Sequence, residues 1–194
     1  MPDDSANNIR AFVAIELPEN VIKMLSDTQH GLKSEGLSGI GFVRPENIHL
    51  TLKFLGDVDK GRLTAIKEAL EKATESVKVF TVTVEGLGAF PSLKNPRVLW
   101  VGVNENAMLS QLQDRLEKAL FDVGFEKEGR PFKPHLTLAR FKTGTDARHC
   151  GKAVEALGQS QKQTFSAGSL VLFESRLSAK GAEYKALEKV SFFN

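Results

Sequence analysis

Residues 46–56, ENIHLTLKFLG, and residues 130–141, RPFKPHLTLARF, contain the same word, His-Leu-Thr-Leu. His is scarce in this chain, with four in 194 residues (His30, His49, His135 and His149), and two of the four carry that word. A tetrapeptide repeated around so rare a residue calls for a common cause: duplication of the fold, shared chemistry, or both.

Both stretches alternate as a strand does. On a strand, residues two apart share a face, so His49 and Thr51 project one way while Leu50 and Leu52 project the other. His135 and Thr137 against Leu136 and Leu138 repeat the arrangement. The Leu pairs are expected to anchor each strand in a core. An imidazole and a hydroxyl are then left side by side on the opposite face, where a cleft can lie.

The flanking sequence extends the pattern. IRAFVAIEL (9–17) predicts a buried strand, followed by a helix with Pro18 in its first turn. His30, near that helix's end, is expected to be an ordinary surface residue. The first His-Leu-Thr-Leu strand (48–56) leads to an amphipathic helix over 59–76, then to strands over 79–90 and 97–103 separated by a loop, PSLKNP. A helix over 105–124 sets Met108, Leu112, Leu116 and Leu120 in one apolar stripe. After the second strand (135–141) come a helix over 146–158, beginning around His149 and Cys150, and strands over 163–175 and 183–193. Both halves, roughly 9–90 and 97–175, therefore run strand, helix, His-Leu-Thr-Leu strand, helix, strand. With no flexible linker between them, the expectation is a single bilobal domain over 1–194 with a shared cleft and a C-terminal strand at 183–193.

Composition narrows the function classes. The chain is 41% apolar and 26% charged, ample for a globular core, and its net charge of +2 gives no strong overall signal for nucleic acid. One Cys, Cys150, leaves no intramolecular disulfide and no Cys-x-x-Cys pair for zinc. The polar, acidic start MPDDSANNIR is unlike a secretory signal, and no apolar run is long enough to span a bilayer. A soluble, cytoplasmic protein without membrane contact is expected.

Two imidazoles facing one cleft can divide the roles of general acid and general base, because each holds or releases a proton near neutral pH. Displacement at phosphorus places the attacking and leaving oxygens on opposite sides, which one His on each side would serve. Metal ligation by the two His competes, although no Asp, Glu or Cys lies within either word. A hydrolase triad is weakly supported without a Gly-x-Ser-x-Gly elbow, and no phosphate-binding P-loop is present. GLGAFP (86–91) lacks the third Gly of a dinucleotide fingerprint and reads as a turn. The plainest alternative gives both His a purely structural place.

The paired words, together with IRAFVAIELP, GAFPSLKNPRVLWVGV, RPFKPHLTLARF and LVLFESRL in this order, resemble the two-histidine (2H) phosphoesterases. Among these the chain is most similar to the bacterial and archaeal RNA 2′,3′-cyclic phosphodiesterases, also called 2′-5′ RNA ligases. The resemblance implies an α+β bilobal fold in which two mainly antiparallel sheets face a central cleft with helices outside. It implies hydrolysis of terminal 2′,3′-cyclic phosphate to a 2′-phosphate with no metal and no cofactor, and 2′-5′ ligation as a related reverse reaction. By motif, His49 is the implied proton donor and His135 the implied proton acceptor. Thr51, Thr137 and Arg140 are the implied phosphate contacts, within motifs completed by Leu50, Leu52, Leu136 and Leu138. The implied partner is an RNA end or oligonucleotide bearing the cyclic phosphate, and a monomer is expected.

On a regular strand Arg140, five residues after His135, faces away from it; only a bend or bulge brings the two together. Arg130 and Lys133 are expected to be solvated, and Phe54, Phe90, Phe132 and Trp100 mostly to pack in the core. A noncatalytic RNA-end or nucleotide-binding module, or a 2H phosphoesterase acting on another cyclic nucleotide, stays open at this point.

Overall fold

The computed structural model describes residues 7–142, 149–158, 162–178 and 181–193. Its strands are β1 (Asn8–Ile15), β2 (Gly41–Phe42), β3 (Leu50–Asp59), β4 (Phe80–Ser92), β5 (Asn95–Val103), β6 (His135–Arg140), β7 (Lys162–Ala167), β8 (Ser169–Ser178) and β9 (Gly181–Ser191). Its helices are α1 (Glu19–Ser34), α2 (Leu63–Thr74), α3 (Ala107–Asp122) and α4 (Cys150–Leu157). The class is α+β, as expected. One antiparallel sheet has the order β3-β1-β8-β9, the other β2-β6-β5-β4-β7.

Each sheet draws on both halves of the chain. β3 and β1 take β8 from the second half as third strand, while β6 and β5 take β4 from the first. The helices follow suit: α2 packs on α3, which lies against β3, and α1 packs on α4, which lies against β4. Pairing β1 with β5, β3 with β6 and β8 with β4 relates one sheet to the other. The duplication is visible, and the third strands are exchanged between its copies.

Several expected boundaries are corrected. PSLKNP is no loop: β4 and β5 run through its ends and are joined by a turn at Leu93 and Lys94. The strand expected over 163–175 is two strands in different sheets, broken at Gly168. The helix expected over 59–76 opens with a 3-10 turn at Lys60–Arg62, where Asp59 accepts a hydrogen bond from the Gly61 N–H. Of the expected α3 stripe, Leu112, Leu116 and Leu120 are buried, but Met108 is exposed and Leu109 replaces it. Steps of four overshoot the 3.6-residue period, so the stripe must include a step of three. α3 starts where Asn106 Oδ1 accepts from the Leu109 N–H at 3.0 Å. The start of the helix expected over 146–158 lies partly outside the described residues.

The main core lies between each sheet and its helices. Leu50, Leu52, Leu136 and Leu138 are all buried in it, each contributing about 1.5–3 kcal/mol of apolar burial. A smaller cluster, Phe12, Ala14, Val171 and Phe173 with Tyr184 against it, covers the opposite face of the β3-β1-β8-β9 sheet. That face forms one wall of the cleft.

Candidate active site

His49 and Thr51 from one sheet and His135, Thr137 and Arg140 from the other line a single cleft of about 730 Å³. The His/Thr faces and Leu faces thus fall as strand alternation requires. Each imidazole is held in the same way. His49 Nδ1 lies 2.9 Å from the Asn47 carbonyl oxygen, and His135 Nδ1 lies 2.7 Å from that of Lys133. As a neutral ring, each donates from Nδ1 to that carbonyl, which fixes the tautomer and leaves Nε2 to the cleft. Each ring also packs on a Phe of an exchanged third strand: His49 on Phe173 of β8, with centroids 4.6 Å apart, and His135 on Phe90 of β4, at 5.0 Å.

Neither the carbonyl partners nor the supporting Phe residues were found from sequence. Backbone acceptors leave no mark on residue identity, and Phe173 and Phe90 reach their rings through long-range strand pairing. Asn47 is further fixed by its own side chain, whose Nδ2 donates to the Ala182 carbonyl of the β8–β9 hairpin at 2.7 Å.

Arg140 reaches the cleft through a bulge. Along β5 and β6, Trp100 opposes Thr137 and Leu99 opposes Ala139, so Leu138 is an extra residue that shifts the alternation by one. The Leu138 carbonyl accepts from the Val43 N–H at 2.8 Å and from Nε2 of the buried Gln29 at 3.0 Å. Gln29 also donates to the Val43 carbonyl at 2.7 Å. β3 carries the matching irregularity: Ala14 opposes Thr51 and Val13 opposes Lys53, leaving Leu52 as the extra residue. It brings Phe54 to the cleft face.

Arg130 and Lys133 line the cleft as well, so their charge adds to its rim. Phe54 and Phe90 line it too, the exceptions among four aromatics expected mostly to pack in the core; the half-buried Phe132 lines it while packing against the main core. Trp100 is half-buried, and a Cβ on Gly88 would collide with its indole; Gly88 is therefore required where that ring crosses β4.

Burial pushes both His below their ordinary value of 6.5, and the backbone hydrogen bonds oppose the shift. Neighbouring charge then separates the pair. Glu16 draws His49 back up, whereas the Arg140 guanidinium pushes His135 further down. Among the described residues no three His, Cys, Asp or Glu side chains gather to hold a metal ion.

A family model for LigT-like phosphoesterases matches this chain twice, over residues 15–100 and 101–184. The chain belongs to the LigT-like phosphoesterase family. The two matches meet between β-strand residues Trp100 and Val101, so each copy of the repeat carries one His-Leu-Thr-Leu word. Among its relatives, the chain is 34% identical over 183 residues to a Methanothermobacter thermautotrophicus protein named RNA 2′,3′-cyclic phosphodiesterase, covering 93% of this chain and 97% of that one. An Archaeoglobus fulgidus protein of the same name is 35% identical over 182 residues, covering 92% and 98%. A solved structure from Thermus thermophilus superposes with a TM-score of 0.78 at 26% identity, covering 95% of this chain and 98% of that one.

Proposed function

We propose that this LigT-like phosphoesterase is an RNA 2′,3′-cyclic phosphodiesterase, a hydrolase that opens a terminal 2′,3′-cyclic phosphate to a 2′-phosphate. Full-length similarity to relatives bearing that name supports the activity. One observation carries the mechanism: two imidazoles, each with Nδ1 committed to a carbonyl, present Nε2 to the same cleft from opposite sheets.

His135 Nε2 takes a proton from water as the water oxygen bonds to phosphorus. His49 Nε2–H gives its proton to the leaving 3′ oxygen as the bond from that oxygen to phosphorus breaks. The products are a 2′-phosphate and a free 3′-hydroxyl, with His49 neutral and His135 protonated; proton exchange with solvent resets the pair. The charges support this direction, since Glu16 favours a protonated His49 and Arg140 a neutral His135. Thr51 and Thr137 hydroxyls and the Arg140 guanidinium bind the phosphate oxygens, where charge grows as water attacks. If a 5′-hydroxyl replaces water, the same proton transfers join two RNA ends by a 2′-5′ linkage.

In this reading the reaction needs no metal, runs in a monomer and takes place in the cytoplasm. No helix among the described residues is long and apolar enough to cross a membrane. Incubating the protein with an oligonucleotide ending in a 2′,3′-cyclic phosphate, and separating 2′- from 3′-phosphate products, tests the reading. Accumulation of the 2′-phosphate in EDTA is expected; an unopened end, or opening that EDTA abolishes, refutes it.

A further inference from the structure

We infer that Asn47 is a positioning residue for the proton donor: its side chain ties the carbonyl that orients His49 to the β8–β9 hairpin, so that the hairpin aims the His49 Nε2–H. The inference rests on the proposed phosphodiesterase reading, in which His49 protonates the leaving oxygen, and extends it to the group that holds the acid in place.

Asn47 meets His49 and the hairpin at once. Its carbonyl accepts from His49 Nδ1 at 2.9 Å, and its Nδ2 donates to the Ala182 carbonyl at 2.7 Å. Its backbone is held as well. Pro45–Asn47 is a single 3-10 turn, in which the Asn47 N–H donates to the Arg44 carbonyl at 2.8 Å and the Ile48 N–H to the Pro45 carbonyl at 3.1 Å. Ile48 then sinks into the main core. A carbonyl fixed through its own turn and its own side chain is a rigid acceptor, and a rigid acceptor fixes the ring that donates to it.

Topology makes the tie informative. Asn47 leads into β3, one edge of the β3-β1-β8-β9 sheet, yet its amide reaches β9, the other edge. There it serves the Ala182 carbonyl on a strand with a neighbour on one side only. The same hairpin supplies two of the rings around the imidazole, Phe173 at 4.6 Å and Tyr184 at 5.4 Å between centroids. Ring contacts set the plane of His49, the Asn47 carbonyl sets its rotation, and both are anchored on one hairpin. The second copy is built differently. Two residues before His135 stands Lys133, whose carbonyl takes the same place but whose side chain is exposed. Removing the Asn47 amide therefore loosens the acid and leaves the base alone.

The test uses two forms of cytidine 2′,3′-cyclic phosphate, the ordinary one and one with sulfur in place of the bridging 3′ oxygen. A thiol is far more acidic than an alcohol, so as the phosphorus–sulfur bond breaks the sulfur leaves as a thiolate and needs no proton from His49. Asn47→Ala and Asn47→Leu, with folding checked by circular dichroism, are expected to lose about ten- to a hundredfold in kcat on the oxygen substrate at unchanged KM, the cost of a misplaced catalytic group. On the sulfur substrate both should match the wild type. Equal losses on the two substrates, a loss confined to KM, or no loss at all overturns the inference. Nitrogen-15 NMR of the neutral imidazoles reads the same tie without turnover: His49 should be the Nδ1–H tautomer in the wild type and a mixture with Nε2–H in Asn47→Leu, with His135 unchanged. A His49 tautomer indifferent to the substitution overturns the inference. If the wild type opens neither substrate, the phosphodiesterase reading fails, and the NMR comparison still decides whether Asn47 orients His49.

Discussion

Arg140 lies five positions after His135 on β6, yet both side chains stand on the cleft face because Leu138 is an extra residue opposite β5. The Arg140 charge thereby reaches His135 and pushes its pKa down.

Arg140→Ala should lower kcat/KM for a cyclic-phosphate end by about ten- to a hundredfold, the loss of one charged hydrogen-bonding group. Arg140→Lys should recover only part of it, because an ammonium cannot reproduce the planar fork. Arg140 is exposed, so thermal stability should barely move. Steady-state kinetics at fixed ionic strength check this; a wild-type rate in Arg140→Ala would remove Arg140 from the phosphate site.

The bulge has its own support. Gln29 is 4% exposed and donates to both the Leu138 and Val43 carbonyls. Gln29→Leu leaves two carbonyls short of a donor and should cost about 1–3 kcal/mol of stability in urea unfolding. A fall in kcat/KM should accompany it as Arg140 loses its fixed position. Unchanged stability would show that the bulge holds without Gln29.

Both cleft His have pKa values below their ordinary 6.5, by burial first. The base must be neutral and the acid protonated, so kcat/KM should follow a bell whose maximum lies below pH 6.5. Stability carries the opposite trace. Below pH 6.5 the unfolded chain binds protons that the folded chain does not, so stability falls as pH drops through the interval from 6.5 to the lowered values. Above 6.5 neither His contributes. Thermal unfolding from pH 7.5 to 5 should show this decline, with a shallower one in His49→Ala and in His135→Ala; equal slopes would mean that the rings are not desolvated.

Lys53 is 5% exposed, and its ammonium donates to Glu117 at 3.0 Å and to the Glu126 carbonyl at 2.6 Å. Glu117 also accepts from the Glu128 N–H, so one buried ion pair ties β3 to the segment leading to Arg130 and His135. Lys53→Met strands a buried carboxylate and should cost about 3–5 kcal/mol in chemical denaturation. Lys53→Met combined with Glu117→Leu should recover much of that loss. A double variant as unstable as the sum of its parts would show the pair to be uncoupled.

Much of this was legible in the chain. The repeated His-Leu-Thr-Leu gave away the duplication, and its alternation placed Leu50, Leu52, Leu136 and Leu138 in the core with His and Thr in the cleft. Local patterns could not show that β4 and β8 exchange sheets, because pairing over such separations depends on the partner strand. The bulges at Leu52 and Leu138 were hidden for the same reason: an extra residue exists only relative to its neighbour. Hence sequence could name a bulge only as the condition for Arg140 to reach His135, and could not say which of Phe54, Phe90, Phe132 and Trp100 leaves the core; one residue of slip in each strand brings Arg140 and Phe54 to the cleft face. Gly168, unremarkable in its run, proved to be the point where one apparent strand passes between sheets.

In the proposed mechanism His49 and His135 each carry one proton transfer at a single phosphate. Opening of a 2′,3′-cyclic phosphate RNA end should be followed in EDTA for the wild type, His49→Ala and His135→Ala, with folding of each checked by circular dichroism. Each single variant should lose about 10²–10⁴-fold in rate, with the wild type indifferent to EDTA. A near-wild-type rate in either folded variant, or a wild-type enzyme silenced by EDTA, would contradict the account.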